Sequence, residues 1–449
     1  MNLKNFLPYY KTIGRLAFPL LLGQLGNIAV SFADNIMVGH YSTDALASAS
    51  FVNNVFNIAI FACVGFTFGL TPLIGALFAN GENKRIGRML RVGLWVNTAF
   101  TVIVCALMLW LYFNLDLMGQ PDHLMPIIRP YYLIVLCSVL PVCIFNVFAQ
   151  WSYAINDTGI PTWIVLASNL VNIAGNYVLI YGHFGAPELG LTGAGISTLS
   201  SRLLCAAAIM LVFFRTKRGE PYRDGFHNGT PVSGEPKHIA VTGFPVAMQM
   251  TFETASFSGA AVMAGWLGAI DLAAFQIVVI SGMFGFCLYY SIAGAMAIPV
   301  SHAAGRCDHT AMRRAAWAGY HLILTCMTAV IILLLCGGHH IMGIFTNDTA
   351  VVTLAITLLV PMALYQFGDA TQITFANALR GTSQVMPMLY IAFVSYIVVG
   401  LPVTYLLAFP AGMGLYGIVL SFSVCLLMAA GLFLAFFLRA TAEKSAEKY

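Results

Sequence analysis

Charged residues are scarce in this sequence. Only 8% of its 449 residues are Asp, Glu, Lys or Arg, whereas 59% are hydrophobic and the mean hydropathy is +0.84. A soluble domain has about 25% charged residues, because polar side chains must cover its surface. The scarcity excludes a soluble enzyme, a disordered chain and a nucleic-acid-binding protein. It predicts a polytopic membrane protein whose principal surroundings are the lipid bilayer.

Motifs that hold metals or perform catalysis are also missing. The ten Cys residues lie mostly inside apolar runs and form no CxxC pair. Such spacing indicates neither a zinc site nor a disulfide framework, so we expect these residues to act as small hydrophobic side chains. No HExxH, GxSxG or phosphate-binding glycine loop is evident. We therefore expect neither an enzyme nor a bound cofactor.

The apolar residues fall into runs long enough to cross a bilayer as helices, which takes about 20 residues each. Eleven joints, charged or rich in Gly and Pro, separate these runs and predict twelve transmembrane helices. The alternation typical of a membrane β-barrel is absent, so the predicted fold is all-α. The first run follows the N-terminus without a signal-peptide cleavage pattern, and we expect it to be retained.

The basic residues predict the orientation of the helices. If the N-terminus is cytoplasmic, all but two of the 21 Lys and Arg residues fall in cytoplasmic segments or at their edges, the exceptions being Arg129 and Arg202. Cytoplasmic loops of membrane proteins carry an excess of Lys and Arg. The distribution predicts a multi-pass protein of the plasma membrane, expected to be a bacterial inner membrane, with both termini cytoplasmic.

The two halves of the chain resemble each other. At a shift of 226 residues, Pro19 aligns with Pro245 and Pro161 with Pro387. Six helices per half predict two parallel six-helix bundles. We predict an N-terminal lobe at residues 1–215, a linker at 216–238 and a C-terminal lobe at 239–449. Pro19 and Pro245 lie early in equivalent helices, where each is either a hinge or a tolerated kink.

Three acids lie inside the predicted helices: Asp34, Glu253 and Asp369. A charge at mid-bilayer costs about 2.5–3.5 kcal/mol on insertion scales, so such residues usually have a function. Of the basic residues only Arg202 lies deep enough to neutralise them, which favours groups that bind and release a cation or proton. Structural hydrogen bonding is the alternative.

In the second half the spacing groups several oxygen-bearing side chains. Tyr365 and Asp369 are four residues apart and share a helix face, Gln372 lies one turn further, and Glu253 is in the opening helix of the same half. Hard cations such as Na⁺ prefer oxygen ligands, which two carboxylates and a phenol supply.

In the first half Asn172 and Asn176 are also four residues apart, in the middle of a helix. One interpretation is that they hydrogen-bond Asp34 and adjust its affinity for a proton. The other is that they only join helices.

Five motifs, spread over essentially the whole chain, resemble those of the MATE (multidrug and toxic compound extrusion) transporters, NorM-type branch. They are Phe18-Pro19…Gln24…Asp34-Asn35-x-Met37-x-Gly39, Asn172-x-x-x-Asn176-Tyr177, Ala273-Ala274-x-Gln276-Ile277, Leu364-Tyr365-Gln366-x-x-Asp369 and Leu379-Arg380-Gly381.

The resemblance implies a V-shaped, twelve-helix antiporter that exports small cationic amphipathic compounds in exchange for Na⁺ or H⁺ and works as a monomer. It implies a cation or proton site at Asp34, Asn172 and Asn176, and a Na⁺ site at Glu253, Tyr365 and Asp369. Candidates for the substrate cavity are Gln24, Gln276 and Gln372.

The sequence also departs from that pattern. Branch members often have His where this chain has Phe275, and Asn where it has Ile280. Two other functions remain open at this stage: a lipid-linked oligosaccharide flippase of the same superfamily, and an intramembrane enzyme. A flippase needs a basic cavity to hold a pyrophosphate, whereas the internal charges here are mostly acidic.

Overall fold

Helices form the regular structure of the chain in a computed structural model that describes residues 6–230, 232–345 and 348–442, and no strand occurs in that part. Ser42 illustrates how the sequence sets a boundary, because its hydroxyl accepts a hydrogen bond from the Ala45 N–H (3.4 Å) and caps the second helix. The helices of the first half are α1 (Leu7–Tyr41), α2 (Thr43–Thr67), α3 (Leu70–Ala79), α4 (Asn83–Phe113), α5 (Met125–Ala154), α6 (Gly159–Tyr181), α7 (Gly190–Arg215) and α8 (Glu220–Asn228).

The second half follows the same pattern with more interruptions. One of its membrane segments contains a π-helix at Phe393–Gly400, a wider helix that is rare in proteins. The helices are α9 (Glu235–Leu267), α10 (Ala269–Gly305), α11 (His309–Phe345), α12 (Thr349–Thr357), α13 (Leu359–Gly381), α14 (Met386–Ala392), α15 (Leu401–Ala408) and α16 (Gly414–Ala440).

Ten helical segments of the described chain are long and apolar enough to cross a membrane, and the pair α12 and α13, bent by 51°, makes an eleventh. Each falls on a predicted span. The helix α9 occupies the place of the remaining span but contains Glu235, Lys237 and Glu253, which lower its apolar character. The all-α, multi-span fold is confirmed, and the count of twelve stays a prediction.

Two compact units make up the chain: Leu22–Ala247, here called the first unit, and Met1–Leu21 with Met248–Tyr449, the second unit. The divisions fall inside α1 and α9, two residues after Pro19 and two after Pro245. The lobes expected from the sequence, 1–215 and 239–449, were instead separated by a segment between two membrane helices.

The segment expected to be a linker, 216–238, belongs to the first unit, and its described residues include a helix. It contains α8, where Tyr222 lies edge-on to Trp151 with ring centroids 5.8 Å apart. Trp151 in turn packs edge-on to Phe213 at 5.1 Å, so that α5, α7 and α8 share one aromatic core. At Gly87 a side chain would overlap the carbonyl of Tyr222, so only glycine allows this approach.

In the second unit the helix α13 is the most enclosed element. Every residue from Gly368 to Gly381 is buried. Ala370 and Ile373 on this helix pack with Tyr289 of α10 and Ile323 of α11. A transmembrane helix enclosed on all faces does not need to be apolar on all faces, which explains how α13 holds Asp369, Gln372 and Arg380.

Candidate functional site

The first unit holds the carboxylate of Asp34 inside the spanning helix α1, and an amide lies against it. The side chain of Asn176, fully buried on α6, donates a hydrogen bond from Nδ2 to Asp34 Oδ1 of α1 at 2.5 Å. The same nitrogen lies 3.5 Å from Asn172 Oδ1, one turn earlier on α6. Asn176 Oδ1 itself has no hydrogen-bond partner among the described residues. The site therefore contains a carboxylate and a buried oxygen acceptor that remains available.

A second group of contacts fixes the position of Asn172. Its Nδ2 donates to Thr198 Oγ1 at 3.3 Å, and its backbone carbonyl accepts a hydrogen bond from Ser197 Oγ at 2.8 Å. Both hydroxyls belong to α7, so this helix orients the amide pair of α6. The sequence did not single out Thr198 or Ser197, because isolated hydroxyl residues in an apolar run give no pattern.

Arg202 places a positive charge inside α7 of the first unit. Its Nη1 donates to Ser138 Oγ of α5 at 2.6 Å, and its guanidinium interacts electrostatically with Asp34 and Tyr131. No salt bridge within 4.0 Å joins Arg202 to Asp34 in the part of the chain that the structure describes. The charge of Asp34 is therefore balanced at a distance rather than by direct contact.

Gln24 and the two prolines lie on α1 and α9. Gln24 is partly buried on α1, ten residues before Asp34, and forms no hydrogen bond among the described residues. Pro19 and Pro245 both lie inside helices, as expected, and Pro245 is buried. Their role as hinges, like that of Gln24 in a substrate cavity, stays a prediction.

The second unit holds two carboxylates that interact with each other. Glu253 on α9 accepts a hydrogen bond at Oε2 from Gln249 Nε2 at 2.8 Å and interacts electrostatically with Asp369 on α13. Asp369 and Tyr365 are both buried, and they interact electrostatically one turn apart on the same helix. The structure therefore brings together the three residues expected to bind Na⁺. All three present oxygen atoms, the donor set that a hard cation prefers.

Phe422 of α16 packs against aromatic rings of α9, α10 and α13, close to these acids. Its ring centroid lies 4.5 Å from that of Phe257 on α9, 6.1 Å from Phe275 on α10 and 6.1 Å from Tyr365 on α13. Phe275, one of the departures from the family pattern, thus contributes an apolar wall close to Tyr365. Aromatic walls lower the local dielectric constant and so strengthen any charge interaction beside them.

The hydroxyl of Tyr365 occupies the space above Gly282 of α10. A side chain at Gly282 would overlap this hydroxyl oxygen, so glycine is the residue that lets α10 and α13 meet here. Gln366, fully buried, donates from Nε2 to the Gly282 carbonyl at 3.3 Å. The position of the phenol is thus set by the close approach of two helices.

The other polar residues noted on α10 and α13 of the second unit differ in burial. Gln372 is buried on α13, one turn beyond Asp369, and its Oε1 has no hydrogen-bond partner in the described chain. Gln276 is exposed on α10 and forms no hydrogen bond among the described residues. Arg380, expected at a cytoplasmic joint near residues 380–387, lies in the last turn of α13, where it is buried and interacts with Tyr290. The end of the helix agrees with the expected joint, and its cytoplasmic location stays a prediction.

The structure defines a helical membrane protein with two units, each of which keeps ionisable groups among its spanning helices. Known proteins resemble it over nearly its whole length. It is 31% identical over 422 residues to a "Probable multidrug resistance protein NorM" of Bradyrhizobium diazoefficiens, covering 93% of this chain and 91% of that protein. A protein of the same name from Xanthomonas axonopodis pv. citri is 29% identical over 400 residues, covering 89% and 87%.

A solved structure shares the fold. It is described as the outward-facing conformation of a multidrug resistance MATE family transporter of the MOP superfamily; its TM-score is 0.88 at 17% identity, with 98% of this chain and 97% of that one covered. The MatE family model matches residues 19–178 and 245–406, and the chain belongs to the MatE family. The two matched segments begin 226 residues apart, which confirms the repeat inferred from the prolines.

Proposed function

We propose that this protein exports small cationic amphipathic compounds across the membrane in exchange for Na⁺ or H⁺. The observation that carries the proposal is the pair of acid sites: Asp34 with its amides in the first unit, and Glu253 with Asp369 in the second. Carboxylates buried in spanning helices are costly unless they bind ions or protons. The names of the relatives, multidrug resistance proteins, support export of drug-like compounds.

The carboxylates couple the two transported species by competition. A cationic compound is attracted to an ionised carboxylate, whereas a Na⁺ ion or proton that neutralises the carboxylate removes this attraction. Each ligand then weakens the binding of the other by the same factor, as linkage requires. Alternating access of the binding region to the two sides of the membrane turns this competition into exchange.

The two sites fit different ions. Asp34 is a single carboxylate near Arg202, so protonation leaves the group neutral and the local charge positive. Glu253 and Asp369 are two carboxylates that repel each other, and a Na⁺ ion coordinated by both and by Tyr365 relieves that repulsion. A flippase is not favoured, because the internal charges are mainly acidic and both relatives carry multidrug resistance names.

One experiment tests the proposal. The purified protein is placed in liposomes, and efflux of a fluorescent lipophilic cation is driven separately by a Na⁺ gradient and by a pH gradient. Efflux driven by at least one gradient is the expected result. Asp34→Asn keeps the shape of the side chain but removes its charge and should reduce coupled efflux, whereas Asp271→Asn, at the start of α10, should not. If neither gradient drives efflux of any cationic probe, the proposed exchange is wrong.

We also propose that the protein lies in the bacterial inner membrane with both termini cytoplasmic, although residues 1–5 and 443–449 lie outside the described residues. Ser233, exposed in the turn before α9, tests the orientation. A single Cys at this position, in a variant that lacks the native cysteines, should react with a membrane-impermeant maleimide only after the cells are opened. Labelling of intact cells would reverse the proposed orientation.

A further inference from the structure

The π-helix Phe393–Gly400 lies against the face of α9 that carries Glu253. Ring centroids of Phe252 and Phe393 are 5.6 Å apart, and Ser256 Oγ would lie 3.4 Å from a Cβ at Gly400. Ser256 is three residues after Glu253 and therefore shares its helix face. The π-helix thus runs along α9 at the level of the acid.

The sequence gives a reason for the wide helix at this point. Pro402 follows the segment and has no N–H, so it cannot donate to the carbonyl of Val398, and its ring crowds that carbonyl. A change of hydrogen-bonding register is one way to relieve such a conflict. Wide turns of this kind occur frequently at functional sites, where they redirect a side chain.

Two hydroxyls of the π-helix are buried without a hydrogen-bond partner. Ser395 and Tyr396 are both fully buried, and neither Ser395 Oγ nor the Tyr396 hydroxyl is paired among the described residues. Buried polar groups in folded proteins are nearly always paired, so each of these hydroxyl oxygens is available to a further ligand. Of the two, Tyr396 interacts electrostatically with both Glu253 and Asp369.

The oxygen atoms expected to bind the cation are few. The expected Na⁺ site has two carboxylates and one phenol, from Glu253, Asp369 and Tyr365. Other hard cations have about six oxygen ligands or more, as calcium and magnesium sites show, so this set is small. An additional neutral oxygen would add a ligand without adding charge. The unpaired hydroxyl of Tyr396 is an oxygen of this kind, on a side chain that interacts electrostatically with both carboxylates and belongs to the π-helix that runs along α9.

We propose that the π-helix presents the hydroxyl of Tyr396 as a further ligand of a Na⁺ ion held by Glu253, Tyr365 and Asp369. This inference rests on the proposed function and extends it to a residue that the sequence motifs do not mark.

Direct binding of ²²Na⁺ to the purified protein in lipid nanodiscs tests this assignment without transport. Tyr396→Phe should weaken Na⁺ binding by about tenfold, which corresponds to about 1.4 kcal/mol, the loss of one hydroxyl ligand. The matched control is Tyr390→Phe, which removes the same hydroxyl from an exposed side chain in the same membrane segment and should bind Na⁺ like the wild type. Asp369→Asn should abolish binding.

Thermal unfolding separates a ligand from a structural hydroxyl. The hydroxyl of Tyr396 has no partner to lose, so Tyr396→Phe should melt at the wild-type temperature without Na⁺. Added Na⁺ should then raise the melting temperature of the wild type and of Tyr390→Phe more than that of Tyr396→Phe, since a ligand stabilises the state that binds it. A Tyr396→Phe protein that fails to fold, or melts lower without Na⁺, would show a structural role and overturn the assignment.

The outcomes also separate this inference from the proposed function. Unchanged Na⁺ binding by Tyr396→Phe, or absence of Na⁺ binding by the wild type, overturns the role of Tyr396 even if the wild type exports drugs. Conversely, Na⁺ binding that depends on Tyr396, in a protein that exports no cationic compound, leaves the ligand assignment intact and disproves the proposed export.

Discussion

The two units bury their acids in different surroundings. Asp34 in the first unit is a lone carboxylate that accepts a hydrogen bond from an amide and has a guanidinium in its electrostatic neighbourhood. Glu253 and Asp369 in the second unit are a carboxylate pair among tyrosines, and neither forms a salt bridge in the described parts of the chain. A repeated fold therefore does not entail a repeated site.

The difference lies in net charge. One acid near one base is balanced before any ion arrives, so the first site has little electrostatic need for a metal cation. Two acids without an adjacent base are unbalanced, and a cation or a shared proton is needed to hold them together. We expect the second site to dominate Na⁺ dependence and the first to respond mainly to protons.

The largest effect is expected from removing either acid of the pair. Glu253→Gln and Asp369→Asn should each reduce ion-driven efflux by on the order of 100-fold, and the double variant should lose little more, because residues that act as one unit are not additive. Efflux from liposomes at equal reconstitution measures this. Full coupled transport by either single variant would mean that the acids work independently or only hold the structure.

A smaller effect is expected from Gly282→Ala. The added methyl group overlaps the Tyr365 hydroxyl and should push the phenol away from Asp369. Overpacking of this kind costs about 1–3 kcal/mol, and the middle of that range, about 2 kcal/mol, corresponds to a fall of about 30-fold in the apparent affinity for the driving ion. The control is Gly294→Ala on the same helix, where the nearest side-chain atom, Leu20 Cδ1, would be 3.8 Å from the new carbon. Equal ion dependence of the two variants would contradict the proposed position of the phenol.

Asn176→Ala tests the first site. The variant removes the amide that donates to Asp34, so the ionised carboxylate is disfavoured and should hold a proton more tightly. Hydrogen bonds to charged groups contribute about 1.5–3 kcal/mol, so proton-driven efflux should reach half its maximal rate at a proton concentration at least about tenfold lower. Asn146→Ala serves as the control, since this amide donates to the carbonyl of Val142 in its own helix. The Na⁺ dependence should not change in either variant. A shift in Na⁺ dependence with Asn176→Ala would show that the two sites are one system.

The smallest effect is expected from Arg202→Gln. Glutamine keeps a donor for Ser138 but removes a positive charge near Asp34, so the carboxylate should hold a proton or cation more tightly. At the separations where no ion pair forms, such a charge contributes about 1 kcal/mol or less, or roughly a threefold change in the half-saturating ion concentration. A weaker response to the ion would show that Arg202 orients the site instead of balancing its charge.

Much of the fold was predictable because insertion into a bilayer depends on the apolar length of each segment, which the sequence displays directly. The acids were predictable for the same reason: Asp34 stands out in an apolar helix. The pairing of Gln249 with Glu253 was missed, although their spacing of four residues on one helix would have indicated it.

Other parts of the sites were not predictable from the sequence. In a membrane protein, apolar residues face both lipid and the interior, so hydropathy does not show that Phe422 lies against Tyr365 or that Gln276 is exposed. Tyr396 has no distinguishing neighbours in the sequence, and only the structure shows that its buried hydroxyl is unpaired. The close approach at Gly282 likewise depends on how two helices meet.

The enclosure of α13 from Gly368 to Gly381 has a consequence for biogenesis. A segment containing Asp369, Gln372 and Arg380 enters lipid at a cost, since Asp or Arg at a helix centre contributes about 2.5–3.5 kcal/mol against insertion. The helices α10 and α11 pack on this segment and precede α13 in the chain, whereas α16 packs on it at Gly368 and Tyr365 and follows it. The polar segment therefore enters the membrane when only part of its final surroundings is present, and α16 completes the enclosure afterwards. Moving α13 ahead of α10 by circular permutation would remove the earlier part as well and should leave α13 outside the bilayer or exposed to quality-control proteases.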